Sequence, residues 1–239
     1  MEADPRRRQR LLQIAAGAAF LALAAVLVLI VVNSSGNDDP SGGGNTKLEG
    51  VAEINRSLAG YPQEGSVIGD TSAPVETVEY GDLQCPVCKH YAEDIIPPVL
   101  ENQVKKGQTF IDFRYMVVVG DESIAAGAAA HAAGLQHRSW NFIEIFYRNQ
   151  GEENSGYADD DEFLEAVAKA AGVKDLDKWN EDRANLTEWV EENTEEAHNV
   201  GLHGTPSFTV RGPKSNFELK VVGTPDSTEA LEEAIDSVR

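Results

Sequence analysis

The chain has 239 residues, enough for one domain of ordinary size with further segments attached. Its 40 acidic side chains outnumber its 20 basic ones, for a formal net charge of −20 at pH 7. A surface that negative repels phosphate backbones, so nucleic acid is excluded as a class of partner.

At the N-terminus, Arg6, Arg7, Arg8 and Arg10 precede an uncharged apolar run from Leu11 to Val32. At about 1.5 Å per residue the run reaches roughly 33 Å, enough to cross a hydrocarbon core of about 30 Å. Arginines retained in the cytoplasm would direct the rest of the chain outward. The competing reading is a cleaved signal peptide, whose apolar region normally spans about 7–15 residues before a small-residue cleavage site. Here the run ends Leu29-Ile30-Val31-Val32-Asn33 without an A-x-A pattern, and no cysteine follows closely enough for a lipid anchor. Residues 1–32 are therefore expected to form a basic cytoplasmic tail and a single transmembrane helix in the cell membrane. On either reading the remainder lies outside the cytoplasm, where disulfide chemistry persists. Residues 33–46 read NSSGNDDPSGGGNT, a flexible linker with nothing to bury.

Residues 47–239 are expected to be one α/β domain. Without Glu2, Asp4 and the four arginines, 16 basic residues face 38 acidic ones, a net of −22. The acid is densest from Glu152 to Glu196, a pattern expected of solvated helical surface. Val75–Tyr80 alternates β-branched, acidic and aromatic residues and predicts a strand. Gly81-Asp82-Leu83-Gln84 turns into a helix that starts with Pro86 in its first turn, and Pro97-Pro98 should kink or restart it. Thr109–Val119 predicts a second, doubly buried strand. Helical patterns follow over 122–136, 140–147, 160–171 and 185–199, a helical insertion spanning about 120–196. Strands return at Ser207–Val210 and Phe217–Val222, and a final helix over 227–238 has Ser227 as its N-cap.

The chain's two cysteines stand together as Cys85-Pro86-Val87-Cys88. A disulfide across so short a loop removes little entropy from the unfolded chain, so it suits opening and closing better than stapling. If Cys85 starts the helix, unpaired N–H groups and the helix dipole stabilise its thiolate, while Cys88 lies one turn inward. The alternatives are a metal half-site or inert thiols. With no third cysteine and no ligand spacing among His90, His131, His137, His198 and His203, neither metal nor cofactor is expected. Two further residues attract notice. Pro206, in Gly204-Thr205-Pro206-Ser207, precedes a strand and by spacing alone is an ordinary trans proline. Glu79, six residues before Cys85, is either a buried carboxyl under the cysteines with a raised pKa or a solvent-facing glutamate near a strand end.

Gly69-Asp70 with Ala73-Pro74-Val75, then Val78-Glu79-Tyr80-Gly81-Asp82-Leu83-Gln84-Cys85-Pro86-Val87-Cys88, resembles the opening of the DsbA-like, thioredoxin-fold oxidoreductases, above all the membrane-anchored bacterial members. Gly201-Leu202-His203-Gly204-Thr205-Pro206-Ser207-Phe208 resembles that family's second signature. The resemblance implies a thioredoxin-like fold with a helical insertion. It makes Cys85 the exposed nucleophile, Cys88 the resolving thiol and Glu79 the buried acid beneath them. Pro206 would be cis and face the cysteines, with Thr205 offering backbone hydrogen bonds to a substrate peptide. One departure stands out: the family's strongest oxidants carry histidine where this chain has Val87. The function so implied is oxidation of secreted or envelope proteins, with reoxidation by a DsbB-like or vitamin K epoxide reductase-like membrane partner. A reductase or isomerase of the same fold, or a non-catalytic chaperone-like peptide-binding module, are the alternatives.

Overall fold

The computed structural model describes residues 47–239. The Leu11–Val32 run and the linker lie outside the described residues. Among the described residues, no helix is long and apolar enough to cross a membrane.

A six-stranded mixed sheet forms the centre, in the order β1 (Gln63–Glu64), β2 (Val67–Ile68), β4 (Thr109–Tyr115), β3 (Val75–Gly81), β5 (Ser207–Arg211), β6 (Lys220–Gly223). Only β3 and β4 run parallel; every other pairing is antiparallel. Alternation sends β3 residues to two different layers. Val75, with Ile111, Phe113, Phe208 and Val210 of the neighbouring strands, joins the main core, whereas Val78 and Tyr80 pack with Met116, Ala197 and Leu202 on the other face.

The cysteines open a helical run over 86–104, here α2, in which the turns Pro86–His90 and Ile96–Val99 alternate with wider π-helical stretches at Tyr91–Ile95 and Leu100–Val104. Pro97 and Pro98 explain the first widening. Without N–H groups they leave the Glu93 and Asp94 carbonyls with no donor four residues on. The ladder shifts by one, so that the Ile96 N–H donates to the Tyr91 carbonyl, and the helix restarts with both prolines in its first turn. The helix is widened and restarted but not broken.

Five helices lie between β4 and β5: α3 (Glu122–Gly134), α4 (Ser139–Arg148), α5 (Asp161–Ala171), α6 (Leu176–Ala184) and α7 (Thr187–Asn199). The alanines of α3 let neighbouring helices approach closely, and the Trp179 indole of α6 donates to the Ala129 carbonyl at 2.8 Å. The acids of α7 line its solvent side: Glu188, Glu191, Glu192 and Glu195 are exposed while Val190, Asn193 and Ala197 are buried. The last helix, α8 (Thr228–Val238), is capped by Ser227 and buries Leu231, Ile235 and Val238 against the sheet. Before β1, a short helix α1 (Val51–Ser57) packs Val51 and Ile54 into the same core.

Some boundaries differ from expectation. The second strand ends at Tyr115, not Val119, because β3 runs out at Gly81, the residue paired with Tyr115. Beyond it the Val118 and Val119 amides turn to the Asp82 carboxylate, each at 2.8 Å. The last strand starts at Lys220, because Asn216 and Phe217 have positive φ (52° and 60°) after a short 3-10 turn.

Candidate active site

The loop from β3 into α2 is shaped by one carboxylate. Asp82 Oδ1 accepts from the Gln84 amide at 2.9 Å and the Ser123 hydroxyl at 2.6 Å, and Oδ2 takes the Val118 and Val119 amides. The Asp82 carbonyl accepts from the Cys85 amide at 3.0 Å and from the Tyr147 hydroxyl at 3.2 Å. Gly81 has no room for a side chain, since a Cβ there would lie 2.5 Å from the Phe113 ring. Gln150 on the far side donates to the Leu83 and Cys85 carbonyls at 2.8 and 3.2 Å.

So held, Cys85 occupies the cap position of α2 in extended geometry (φ −72°, ψ 121°), with Pro86 in the first helical turn. Both cysteines are free thiols, and both are buried, so the expectation of an exposed Cys85 is corrected: the loop and the Thr205–Pro206 segment leave it 7% accessible. A hydrogen bond from Cys88 is the main influence bringing the Cys85 thiol down to about 6, against its burial, and the Cys88 and Val87 amides and Thr205 assist. Cys88 is the opposite case. It is fully buried, and burial together with the neighbouring Cys85 pushes its thiol well up. Cys85 is thus the thiolate and Cys88 the proton-bearing donor to it.

Across the sheet, the Thr205–Pro206 peptide is cis, and the Thr205 carbonyl oxygen lies 3.6 Å from Cys85 Sγ. The Thr205 side chain also acts on the Cys88 thiol, lowering it slightly against its burial. Pro206 is held in turn by the Thr224 hydroxyl, which donates to its carbonyl at 2.7 Å. Residues 85 and 88 and residues 205 and 206, two pairs more than a hundred positions apart in sequence, therefore form one cluster. The exposed Val87, 47% accessible, stands beside it.

Glu79 is buried, with 2% of its surface accessible, and burial pushes its carboxyl up to about 8. It thus keeps its proton at neutral pH. Burial raises the hydroxyls of both Tyr91 and Tyr147, with Cys88 and Glu79 as lesser influences in the same direction. The Tyr91 ring stacks on Phe208 at 5.8 Å, and its hydroxyl donates to the Pro225 carbonyl.

Several residues of this site escape sequence reasoning. Glu144 of α4, partly buried and likewise pushed up to about 8 by burial and then by Glu79, is a second proton-holding carboxyl there. Asp82 reads in the sequence only as a turn former, although an aspartate two residues before an amide it can accept from is a recognisable turn signal. Tyr147 and Gln150 carry no sequence signal, since only the packing of α4 brings them to residues 82–85.

A family model described as thioredoxin matches residues 62–237. The probable disulfide bond formation protein D of Bacillus cereus is 27% identical over 153 residues, covering 62% of this chain and 71% of that protein. Disulfide bond formation protein D of Bacillus subtilis is 25% identical over 157 residues, 64% of this chain and 69% of that protein. The crystal structure of oxidised BdbD from Bacillus subtilis superposes with a TM-score of 0.62 at 24% identity, covering 74% of this chain and 95% of that one, and so shares the fold. With its adjacent thiols poised at a helix start, the chain belongs to the thioredoxin family as a DsbA-like thiol–disulfide oxidoreductase.

Proposed function

We propose that this protein is an extracytoplasmic, membrane-tethered oxidase of thiols in secreted or envelope proteins, working through a Cys85–Cys88 disulfide. The observation that carries the direction is the contrast between the two sulfurs: a thiolate stabilised at Cys85 beside a fully buried, proton-holding Cys88. Stabilising the reduced form of a pair makes its disulfide the stronger oxidant. The relatives named disulfide bond formation protein D support the same reading.

In this reading a substrate thiolate attacks Cys85 Sγ, a mixed disulfide forms, and Cys88 leaves. Glu79, protonated below about 8, gives its proton to the Cys88 sulfur. A second substrate thiol then displaces Cys85, so the substrate gains a disulfide and the protein pair takes up the two electrons. Thr205 and Pro206 hold the substrate as an extended strand beside Cys85. A membrane partner of the DsbB-like or vitamin K epoxide reductase-like kind accepts the electrons, and Glu79 then receives the Cys88 proton. The apolar run Leu11–Val32 supports the tether and the outward orientation.

Trapping the thiols by rapid alkylation in intact cells tests the direction. A Cys85–Cys88 pair found mostly oxidised at steady state agrees with an oxidase. A pair found mostly reduced overturns it in favour of a reductase or isomerase. N-terminal sequencing of the mature protein tests the tether, which is lost if the chain begins after Val32.

A further inference from the structure

Glu79 is 2% accessible, yet each turn of the redox cycle takes a proton from it and later returns one. That proton needs a way to water, and helix α4 crosses the strand where Glu79 sits. The helix starts over β4, where the Ser139 hydroxyl meets the Tyr115 hydroxyl at 3.0 Å and the Trp140 ring meets Phe113 edge-on at 6.2 Å. It ends over the β3–α2 turn, where the Tyr147 hydroxyl donates to the Asp82 carbonyl and would lie 3.2 Å from a Cβ at Gly81. Between these ends it passes over β3. Glu79 pairs with Phe113 and shares the strand face of Gly81, so it is the β3 residue beneath the crossing. Glu144 precedes Tyr147 and Arg148 by one helical turn, and its side chain shares their side of α4.

Exposure and charge are graded outward from there. Glu144 is itself partly exposed. After burial, the influences on its carboxyl are Glu79 of β3, then Arg148, then Glu93 of α2. Arg148 Nε lies 3.1 Å from Glu93 and Nη1 lies 3.9 Å from Glu53 of α1, where the Arg148 and Glu93 side chains are 35% and 31% accessible. Glu144 thus stands between a sealed carboxyl and an ion pair at the surface. Burial brings both carboxyls to about 8, so a proton passes between them without a steep climb.

We propose that Glu144 is the relay that carries protons between Glu79 and solvent. When the Cys85–Cys88 disulfide is reduced, the Cys88 sulfur leaves with the bonding electron pair and takes the Glu79 proton. Glu144 passes its own proton to the Glu79 carboxylate and recovers one from water beside Arg148 and Glu93. On reoxidation the order reverses. Glu144 loses its proton to water and takes that of Glu79, and Glu79 accepts the proton of Cys88. The Cys88 thiolate then displaces the oxidant's sulfur from Cys85, and the oxidant carries away two electrons. The relay rests on the proposed cycle through Cys85, Cys88 and Glu79 but not on its net direction, since the proton moves both ways.

Exchange of the full chain in detergent, reduced by dithiothreitol and reoxidised by oxidised glutathione, tests it in dilute buffer from about pH 5 to about pH 9. Glu144→Gln keeps the shape but carries no proton, and should slow both directions about tenfold, while Glu144→Asp should keep most of the rate. In Glu144→Ala, added acetate should restore the rate in proportion to its concentration, which a packing role would not produce. Glu79→Gln with Glu144→Gln should be no slower than Glu79→Gln alone, because the relay acts only through Glu79. The Cys85 alkylation midpoint near 6 should not move in Glu144→Gln. If Glu79→Gln is slow and Glu144→Gln matches the wild type, the relay falls and the role of Glu79 stands. If both match the wild type, the two fall together. Additive slowing in the double variant, or no rescue by acetate, also overturns the relay.

Discussion

The Cys85 sulfur and the Thr205 carbonyl oxygen stand 120 residues apart in the chain and 3.6 Å apart in space. The contact joins the start of α2 to the loop before β5. Cys88 is fully buried, whereas Cys85 keeps 7% of its surface accessible. In the proposed function this difference gives the pair a direction of attack.

Alkylation should therefore single out Cys85. Its rate should rise with pH about a midpoint near 6, because only the thiolate reacts and its population grows as pH passes the pKa. Cys88→Ala removes the hydrogen bond that most lowers that pKa, so the midpoint should move upward. The same variant should accumulate mixed disulfides with substrates on non-reducing gels, and Cys85→Ala should accumulate almost none. Equal trapping by the two would contradict the assignment.

Glu79 makes stability depend on pH in an unusual sense. Its folded pKa of about 8 lies above the ordinary 4.5, so the folded state keeps a proton that the unfolded state releases. The wild type should lose stability as pH rises from about 4.5 to about 8, with Glu144 acting in the same direction. Glu79→Gln should flatten that slope and stabilise the protein by about 2–4 kcal/mol at pH 8, as read by urea unfolding across pH. The same change should slow formation of the mixed disulfide with substrate, on the order of a hundredfold, because the acid that protonates the departing Cys88 sulfur is gone.

Replacing Asp82 should damage both fold and activity. Asp82→Ala orphans the Val118 and Val119 amides and the Ser123 hydroxyl, and should cost about 2–4 kcal/mol by denaturant unfolding. Asp82→Asn, which keeps the shape but swaps one acceptor for a donor, should fall between. A loss below about 0.5 kcal/mol for Asp82→Ala would show that the clamp contributes little.

Val87 is exposed and leaves space for a larger group. Val87→His should place a cationic donor near Cys85 and lower its pKa by about one unit, seen as a shift of the alkylation midpoint to lower pH. Redox equilibration with glutathione should then show a more oxidising pair.

Much of this site was legible because its chemistry is local. Cys-Pro-Val-Cys after an alternating strand announces a helix start, and the period of two that makes Val75–Tyr80 a strand also points Glu79 inward. The cis state of Pro206 was not legible from spacing and came only with the family resemblance. What escaped was set by tertiary contact. Helix α6 buries only Trp179, so its sequence shows no apolar stripe. Strands β1 and β2 have two residues each, too few for any periodicity. The run to Val119 looked like one strand because apolar character persists after Tyr115, although the backbone has already left the ladder for Asp82.

That departure has a consequence for motion. Val118 presents its side chain to solvent at 47% accessibility, yet its amide proton is held by a carboxylate that is itself buried. Surface position and solvent exchange are thereby uncoupled. Deuterium should enter the Val118 and Val119 amides only when the β3–α2 turn and the start of α3 come apart together, since Asp82 and Ser123 anchor all three. These two amides would then serve as slow clocks for the opening of the segment that carries the cysteines, ticking on the outside of the molecule.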